Sequence, residues 1–550
     1  MKNTKKIIGL IIAAVLILSL SVCYFAAGDS DDWKSNQGTI NLDNLAVTGE
    51  GIEVDGNVIS ISKGGDFTVT GSLEDGMIKV NTGEKVKLRL SGMSLKNSSG
   101  PAIFFENTEK GFITLTENTE NYLADGTEYS VEDADAPLFS NDDLEIKGAG
   151  KLTVAGNYKH GIASDDSISI ENGTIVIVSA EHGIKTNDKV SITGGNIDIT
   201  AKTGKGIKAG EELVIDAGVL NIVSEQSEGL ESKGTITING GDINITAADD
   251  GINTGSSNSQ NGLGGREKMP GGDFENGEPP QMPDMNGEAP AERQGGRGMK
   301  GGMPGGDFEN GEPPQMPDMN GETPSDRQGG RGMKGGMPGG DFENGEPPQM
   351  PDMNGEAPTD RQGGRNFGGF GKVDEETAAA HAITINGGNI RIKASGDGID
   401  SNGSLTVTGG TLIIDGPEMN GNGPLDSEGE MTITGGEIIT LSSAGMLQLP
   451  TDADTQNTLK VVFTGQGAAG DTVSVKDSAG NELMSLTSQG KYAALIYSSE
   501  KLKAGEEYSV FVNGNLYKTV TLEKGITSVG SSSGFMGGFG MREKGESKQM

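Results

Sequence analysis

Cysteine, aromatic residues and histidine are scarce in this 550-residue sequence. Cys23 is the only cysteine and lies in an N-terminal apolar stretch, so the remaining chain has neither thiols nor disulfides. Aromatic residues make up 4% of the chain, fewer than the core of a large globular domain normally contains. A stack of thin coils needs fewer large side chains, because each coil packs only against its neighbours.

Basic residues are also in deficit. The chain has 79 acidic and 43 basic residues, which give a formal net charge of −36. This charge argues against a nucleic-acid partner, because binding to phosphates needs Lys and Arg. An acidic surface instead suits cation capture, or simply keeps the protein soluble.

Glycine is abundant, with 91 residues, and it marks a repeat of about 22–25 residues. Each copy reads Gly-Ile or Gly-Leu, one or two polar residues that we interpret as a turn, a short alternating strand, Gly-Gly or an equivalent, and a second strand. A fixed period of this length is typical of a solenoid. Because hairpins would not restore the same register in every copy, the pattern predicts an all-β parallel β-helix with strands about 4.8 Å apart. The repeat glycines are Gly161, Gly183, Gly206, Gly229, Gly251, Gly398 and Gly423.

The N-terminus predicts export. Lys2, Lys5 and Lys6 precede an apolar run over 7–27, which is the pattern of a signal peptide. Residues 20–23 look like a lipoprotein box, and the run is nearly long enough to remain as a membrane anchor. Lipid-anchored, membrane-anchored and released forms all stay open, and each of them is extracytoplasmic.

A long insert interrupts the repeat. Three nearly identical 34-residue units start at Met269, Met303 and Met337. Pro-Pro and Gly-Gly in each unit exclude paired helices, and the composition indicates disorder. A coil begins before the insert and its strands follow after it, so the insert occupies one turn of a continuing solenoid.

Longer and more aromatic strands follow the last repeats, and they predict a small antiparallel unit that covers the C-terminal coil. The predicted organisation is a signal peptide or anchor at 1–28, a β-helix at 38–255, a disordered insert at 256–377, the β-helix continued at 378–449, a β cap at 450–529 and a Gly-rich tail at 530–550.

Acidic and amide side chains recur near the repeat glycines, where stacking brings those of successive coils together. Like charges at this spacing repel each other, and a bound divalent cation relieves the repulsion. Ca²⁺ is the natural choice, because it takes several oxygen ligands in flexible geometry. The alternative is that these residues only make turns through side-chain hydrogen bonds. The candidate ligands are Asp165, Asp166, Asp249, Asp250, Asn253, Asp397, Asp400, Asn402 and Asp426, and the densest pair of segments is 249–253 with 397–402.

The sequence contains few side chains that stand out as catalytic candidates, and we assign no catalytic residue. His160 and His182 precede equivalent glycines, so they are expected to stack as a simple ladder rather than to bind a metal. Lys185 and Lys208 lie near the predicted turns, where they could pair with the carboxylates of a polyuronate.

The segment 142–154, which leads into the repeats, and the segments 497–499 and 503–508 resemble the bacterial cell-surface carbohydrate-binding β-helix family. This resemblance implies a right-handed parallel β-helix similar to that of pectate lyases. It also implies binding of Ca²⁺, cellulose and polygalacturonate without established catalysis. The single Trp33 fits cellulose poorly, because crystalline cellulose is usually held on aromatic platforms.

The leading hypothesis is therefore a monomeric, extracellular or surface-attached protein that binds acidic polysaccharide through a calcium-loaded face. A polysaccharide lyase acting on polyuronates is the enzyme alternative. A structural or adhesin-type surface protein is the third.

Overall fold

The computed structural model describes residues 31–255, 379–451 and 455–531. The predicted anchor at 1–28, the insert at 256–377 and the tail beyond residue 531 lie outside the described residues. Among those that are described, no helix is long and apolar enough to cross a bilayer.

Strands make up nearly all of the regular structure, after a short 3-10 helix at Asp31–Ser35. The strands before the regular coils are β1 (Gln37–Asn41), β2 (Ala46–Thr48), β3 (Ile52–Asp55), β4 (Val58–Ile61), β5 (Gly65–Leu73), β6 (Met77–Asn81), β7 (Val86–Asn97), β8 (Ile103–Asn107), β9 (Gly111–Leu115) and β10 (Glu120–Asp125). Those of the regular coils before the insert are β11 (Leu138–Ser140), β12 (Leu144–Gly148), β13 (Lys151–Gly156), β14 (Ile162–Ser164), β15 (Ile168–Ile170), β16 (Thr174–Ser179), β17 (Ile184–Thr186), β18 (Lys189–Ile192), β19 (Asn196–Ala201), β20 (Ile207–Ala209), β21 (Glu212–Ile215), β22 (Val219–Ser224), β23 (Leu230–Ser232), β24 (Thr235–Ile238), β25 (Asp242–Ala247) and β26 (Ile252–Thr254).

The strands after the insert complete the solenoid and build the C-terminal unit. They are β27 (Ile383–Ile385), β28 (Asn389–Ala394), β29 (Ile399–Ser401), β30 (Leu405–Val407), β31 (Thr411–Asp415), β32 (Leu425–Ser427), β33 (Met431–Ile433), β34 (Glu437–Ser442), β35 (Thr458–Gly467), β36 (Thr472–Asp477), β37 (Glu482–Thr487), β38 (Tyr492–Ser499), β39 (Glu507–Val512), β40 (Asn515–Thr521) and β41 (Ile526–Val529).

The strands stack in three parallel ladders, one for each side of the coil. Ladder 1 runs from β1 through β12 to β33, ladder 2 from β7 through β16 to β34, and ladder 3 from β4 through β17 to β32. The result is a parallel β-solenoid of about 11 turns, which confirms the predicted architecture.

The sequence interpretation was wrong in one respect, because each regular coil has three strands rather than two. The segment after each repeat glycine, which we interpreted as a turn, forms the third strand. Ile252–Thr254 and Ile399–Ser401, for example, pair in parallel over their full length. Three residues are too short for visible alternation, so only pairing with the neighbouring coils reveals these strands.

Isoleucine, leucine and valine fill the interior as one continuous core. Each ladder presents alternate residues inward, so that Ile236 lies on Ile383 and Ile243 lies on Ile390 in register. In each pair, one residue precedes the insert in sequence and the other follows it. The solenoid therefore continues past the insert without a change of register. These core side chains are almost completely buried.

The repeat glycine is required because each coil is thin. A Cβ atom on Gly229 would lie 2.3 Å from Cγ2 of Ile245 and 2.7 Å from the carbonyl oxygen of Gly251. Gly241 serves a different purpose, since it bends the chain between ladders 1 and 2 with a φ of 100°. Close packing requires glycine at position 229, whereas the backbone conformation requires it at position 241.

We therefore expect Gly229→Ala to destabilise the solenoid by roughly 1–3 kcal/mol, the usual cost of overpacking. Gly83→Ala is the matched control, because Gly83 is exposed and nothing lies within 4 Å of an added Cβ. Urea denaturation of both variants measures the difference. Equal midpoints in the two variants would show that the coil can widen at Gly229 without cost.

The C-terminal unit is antiparallel, as predicted. β36, β37, β39 and β40 form a four-stranded sheet, and β38 pairs antiparallel with β34 at the last coil. The unit has its own core, in which Tyr492, Tyr497 and Tyr508 are almost completely buried. It extends ladder 2 and covers the end of the solenoid.

Candidate functional site

The outward residues at the centre of the ladder 3 strands form one continuous column. Parallel pairing in register places neighbours roughly 4.8 Å apart along this column. Its character changes from aromatic to basic to acidic along the solenoid axis. The outer column of ladder 3 contains Phe104, Phe139, Ala163, Lys185, Lys208, Glu231, Asn253, Asp400 and Asp426.

This column corrects the predicted position of several site residues. We placed Asn253, Asp400 and Asp426 in turns, and Lys185 and Lys208 near turns, but each occupies the centre of a three-residue strand. A strand holds its side chains more rigidly than a turn does. The site is therefore a row of side chains on a sheet face.

Asp249, Asp250, Asp397, Asp400 and Asp426 form an acidic cluster at the end of this column. The Asp397 backbone N–H donates to Asp250 Oδ1 at 2.6 Å, and the Asn253 side-chain amide donates to Asp250 Oδ2 at 3.1 Å. The Gly423 backbone N–H donates to Asp397, and the Gln448 amide donates to Asp426. The cluster spans the coils on both sides of the insert.

Burial and mutual repulsion make these carboxyl groups weak acids. Burial, together with the charges of Asp400 and Asp249, raises the pKa of Asp250 to about 8. Burial raises the pKa of Asp400 to about 7, together with Asp397 and Asp426. Burial also raises the pKa of Asp397 to about 6, against the hydrogen bond from Gly423. Within the described residues, none of the five forms an ion pair with Lys or Arg.

Two oxygen-bearing groups in the cluster lack hydrogen-bond donors in the described part of the chain. The Asp400 carboxylate accepts no hydrogen bond there, and the buried Asn253 Oδ1 has no partner. These two residues are direct neighbours in the outer column. Gly396 leaves the carboxylates accessible, since a Cβ there would lie 2.3 Å from Asp250 Oδ1. Carboxylate and amide oxygens are the ligands that Ca²⁺ prefers, and flexible geometry with water ligands suffices for it.

The remaining predicted ligands do not join this cluster. Asp165 and Asp166 lie at the coil of β14, four strands before β26 in ladder 3, or roughly 19 Å away at 4.8 Å per strand. Asp165 accepts a hydrogen bond from Asn187 at 3.0 Å. The Asn402 amide donates to the backbone carbonyl of Thr254, so this group is used within the fold. Burial raises the pKa of Asp166, as do Asp188 and Asp143 beside it.

Lys185 and Lys208 differ in their availability. Lys185 Nζ lies 3.2 Å from Asp135 Oδ2. Lys208 has neither a hydrogen bond nor an ion pair with any described residue, and burial together with Lys205 lowers its pKa. Glu231, the next residue in the column, is already paired with Lys205 at 2.9 Å. Lys208 is thus the better partner for a ligand carboxylate.

The two histidines form the predicted ladder. The His160 and His182 rings stack with centroids 4.8 Å apart, and with Glu181 they bring three ligand atoms within 4.8 Å of one another. Backbone N–H groups of His182 and Lys205 donate to Nδ1 of His160 and His182 respectively. In a neutral ring the proton would therefore sit on Nε2, which lies 3.2 Å from Asp135 Oδ2 in His160 and 3.3 Å from Glu181 Oε1 in His182. Both Nδ1 lone pairs are already used by backbone N–H groups.

The sequence interpretation missed several residues around the column. Asp135 comes from the irregular loop between β10 and β11 and contacts both His160 and Lys185, at a sequence separation that no repeat spacing indicates. Phe139 pairs with Ala163 at the repeat spacing, so extending the period toward the N-terminus would have found it. Phe104 pairs with Phe139 across the longer, irregular connection between β8 and β11, which the period does not indicate. Tyr129 and Tyr158 stack with centroids 4.4 Å apart beside this aromatic part.

Comparisons with known proteins support a carbohydrate-binding class. Residues 55–216 match a family described as "Carbohydrate-binding domain-containing protein". A protein of this description from Acetivibrio thermocellus (strain ATCC 27405) is 34% identical over 145 residues, or 25% of this chain and 49% of the relative. The chain therefore covers about half the length of this relative. The family match includes Lys185 and Lys208 and ends before the acidic cluster.

A solved structure is also similar in sequence. It is described as a polysaccharide lyase-like protein from C. thermocellum in its gadolinium derivative. It is 30% identical to this chain, and the match covers 39% of this chain and 90% of that one, with a TM-score of 0.36.

Proposed function

We propose that this protein is an extracellular binding protein for acidic polysaccharides of the polygalacturonate type. In this proposal, the acidic cluster holds Ca²⁺, which bridges the protein to one carboxylate of the glycan. Lys208 pairs with a second carboxylate three strands away, or roughly 14 Å at 4.8 Å per strand. The observation that carries the proposal is a pair of neighbouring oxygen ligands, on Asp400 and Asn253, that have no hydrogen-bond donor among the described residues. They share a column with Lys208, which has no ion-pair partner in the same part of the chain.

The order of charges along the column suits a polyanion only when the cation is bound. Without it, the acidic cluster repels a uronate polymer, whereas the neutralised Glu231 between the two contact points does not. Calcium thus converts the acidic end of the column from a repulsive into an attractive surface. The carbohydrate-binding family match supports the polysaccharide class of the partner.

We expect retention on immobilised polygalacturonate to increase with Ca²⁺ and to fall when a chelator is added. Lys208→Gln should weaken calcium-dependent binding by about tenfold, the loss expected for one charge-assisted contact. Lys202→Gln is the control, because Lys202 is exposed and lies outside the column. Affinity electrophoresis in gels with and without the polymer measures the change.

Retention that is insensitive to chelator would contradict the calcium bridge. The lyase alternative rests on Lys208, since a lysine with a lowered pKa can act as a base. Elimination would create an unsaturated uronate that absorbs in the ultraviolet. Prolonged incubation with Ca²⁺ and polygalacturonate that leaves the absorbance unchanged favours binding over catalysis.

A further inference from the structure

The two arginines of the described chain have opposite environments. Arg89 forms a bidentate pair with Asp66, with its Nε and Nη2 atoms each 2.6 Å from a carboxylate oxygen. Arg391 is exposed on β28 and has no hydrogen bond or ion pair with any described residue. The net charge of −36 makes the lack of a carboxylate partner among the described residues notable for an arginine.

Arg391 stands at the end of an amide ladder on the outer face of ladder 2. The Asn221 side chain donates to Asp198 Oδ1 at 2.8 Å, and the Asn244 side chain donates to Asn221 Oδ1 at 3.1 Å. Asn244 and Arg391 are neighbours in register. The Asn244 side-chain oxygen is the last acceptor of the ladder, and it lies beside the guanidinium.

A groove opens at this position, between the solenoid and the C-terminal unit. It has a volume of about 260 Å³ and is lined by both polar and apolar residues. The same junction continues into a second hollow of about 320 Å³, which shares Lys393 with the first. These volumes are close to the lower end of the usual range for small-molecule sites, so each part suits one sugar ring. The groove is lined by Asn244, Arg391, Lys393, Ile413, Leu486 and Gln489.

The groove keeps an excess of positive charge. Asp415 is the carboxylate that lines it, but Asp415 is buried and accepts hydrogen bonds from the Gln489 backbone and the Ser488 hydroxyl. Burial raises the pKa of Asp415, against the charge of Lys393, which lowers it. Lys393 forms no ion pair with a described residue. The cations Arg391 and Lys393 therefore outnumber the one carboxylate of the first groove, while Glu418 lines the second hollow.

We propose that this groove binds a uronate residue of an acidic glycan. The planar guanidinium of Arg391 suits two parallel hydrogen bonds to a carboxylate, and Lys393 adds charge. The amides of Asn244 and Gln489 can bond sugar hydroxyls, while Ile413 and Leu486 offer an apolar surface to the sugar ring. This site lies on ladder 2, needs no calcium and does not rest on the proposed site of ladder 3.

Titration calorimetry with trigalacturonate in excess EDTA tests the proposal, since the chelator silences any calcium site. The unmodified protein should bind, and Arg391→Gln should weaken binding by at least about tenfold, because a hydrogen-bonded charged contact is lost. Arg391→Lys should give an intermediate affinity, because lysine keeps the positive charge but cannot donate two parallel hydrogen bonds to one carboxylate. Lys518→Gln, an exposed cation elsewhere on the C-terminal unit, should bind as the unmodified protein does.

Arg391→Gln should also leave the melting temperature unchanged, which separates a binding role from a structural one. Asp400→Asn should leave binding in EDTA intact, so failure of the ladder 3 site and failure of this groove are distinguishable. Equal affinity of Arg391→Gln and the unmodified protein would overturn the proposal. Equal binding of a neutral galactose trimer would overturn the assignment of a carboxylate ligand, as would the absence of binding in EDTA.

Discussion

Calcium is expected to raise the melting temperature of this protein markedly at pH 8. The cation would bind the folded acidic cluster and not the unfolded chain. At a concentration about 100 times its Kd, such binding stabilises by about 2.7 kcal/mol. For a chain of this size that corresponds to a shift of roughly 3 °C. Differential scanning calorimetry with EDTA and with increasing CaCl₂ measures the shift.

Asp400→Asn is the most informative variant for this effect. The substitution removes one of several repelling carboxylates, so we expect the calcium-free variant to melt above the calcium-free unmodified protein at pH 8. The same variant should respond weakly to calcium, because a ligand charge is missing. The matched control Asp198→Asn removes a half-buried carboxylate on ladder 2 and should leave the calcium response intact. An Asp400→Asn variant that is both less stable without calcium and fully responsive to it would refute the assigned role.

The second large effect is a fall in the stability of the calcium-free protein as the pH rises from about 4 to 8. The pKa values of Asp250 (about 8), Asp400 (about 7) and Asp397 (about 6) are raised, so the folded state binds more protons than the unfolded state over this range. Stability therefore rises as the pH drops toward the ordinary aspartate pKa of about 4. His182 acts in the opposite direction, because burial and His160 lower its pKa to about 2. Below about pH 6.5 the unfolded state binds this one proton, which offsets only part of the protons that the three aspartates hold in the folded state.

Thermal melting at half-unit pH steps measures this profile. Calcium should flatten it, because the cation replaces the protons on the cluster. His182→Gln should steepen it between about pH 4 and 6.5, since glutamine keeps an acceptor for the Lys205 backbone N–H but does not titrate. A melting temperature that rises from pH 6 to pH 8 without calcium would contradict the raised pKa values of the aspartates.

The parallel solenoid could be predicted because its cause is local and repeated. The inward isoleucines and the glycine before each third strand recur at one period, and each has a packing reason within one coil and its neighbour. Gly229 shows this directly, since any Cβ would collide with Ile245 of the same coil. The stacked pair His160 and His182 was predictable for the same reason, because equal positions in successive copies become neighbours.

The third strand of each coil was not predictable from alternation. Leu-Glu-Ser at 230–232 and Ile-Asp-Ser at 399–401 are too short to show a period of two, and Asp and Asn are more common in turns. Their strand conformation comes from hydrogen bonds to the coils above and below. The candidate ligands on these strands therefore lie on a sheet face, and this placement depends on that pairing.

Contacts between residues that are not equivalent in the repeat also determine which charged groups of the site have partners. Composition and spacing indicated convergent aspartates, but not that Asp400 would lack a hydrogen-bond donor while Asp250 has two. Nor did they indicate that Lys185 would pair with Asp135 while Lys208 has no partner among the described residues. Such differences arise from irregular loops, whose positions follow from the whole coil.

Sequence periodicity alone was sufficient for the coil, its core and the neighbourhood of the two acidic segments, because identical residues at a constant spacing must stack. The folded structure was needed to show which of the stacked side chains keep an unsatisfied charge. It also brought Arg391 against the C-terminal unit, which lies roughly a hundred residues further along the chain. Repetition makes neighbours of equivalent residues, whereas only tertiary packing joins residues that share no repeat.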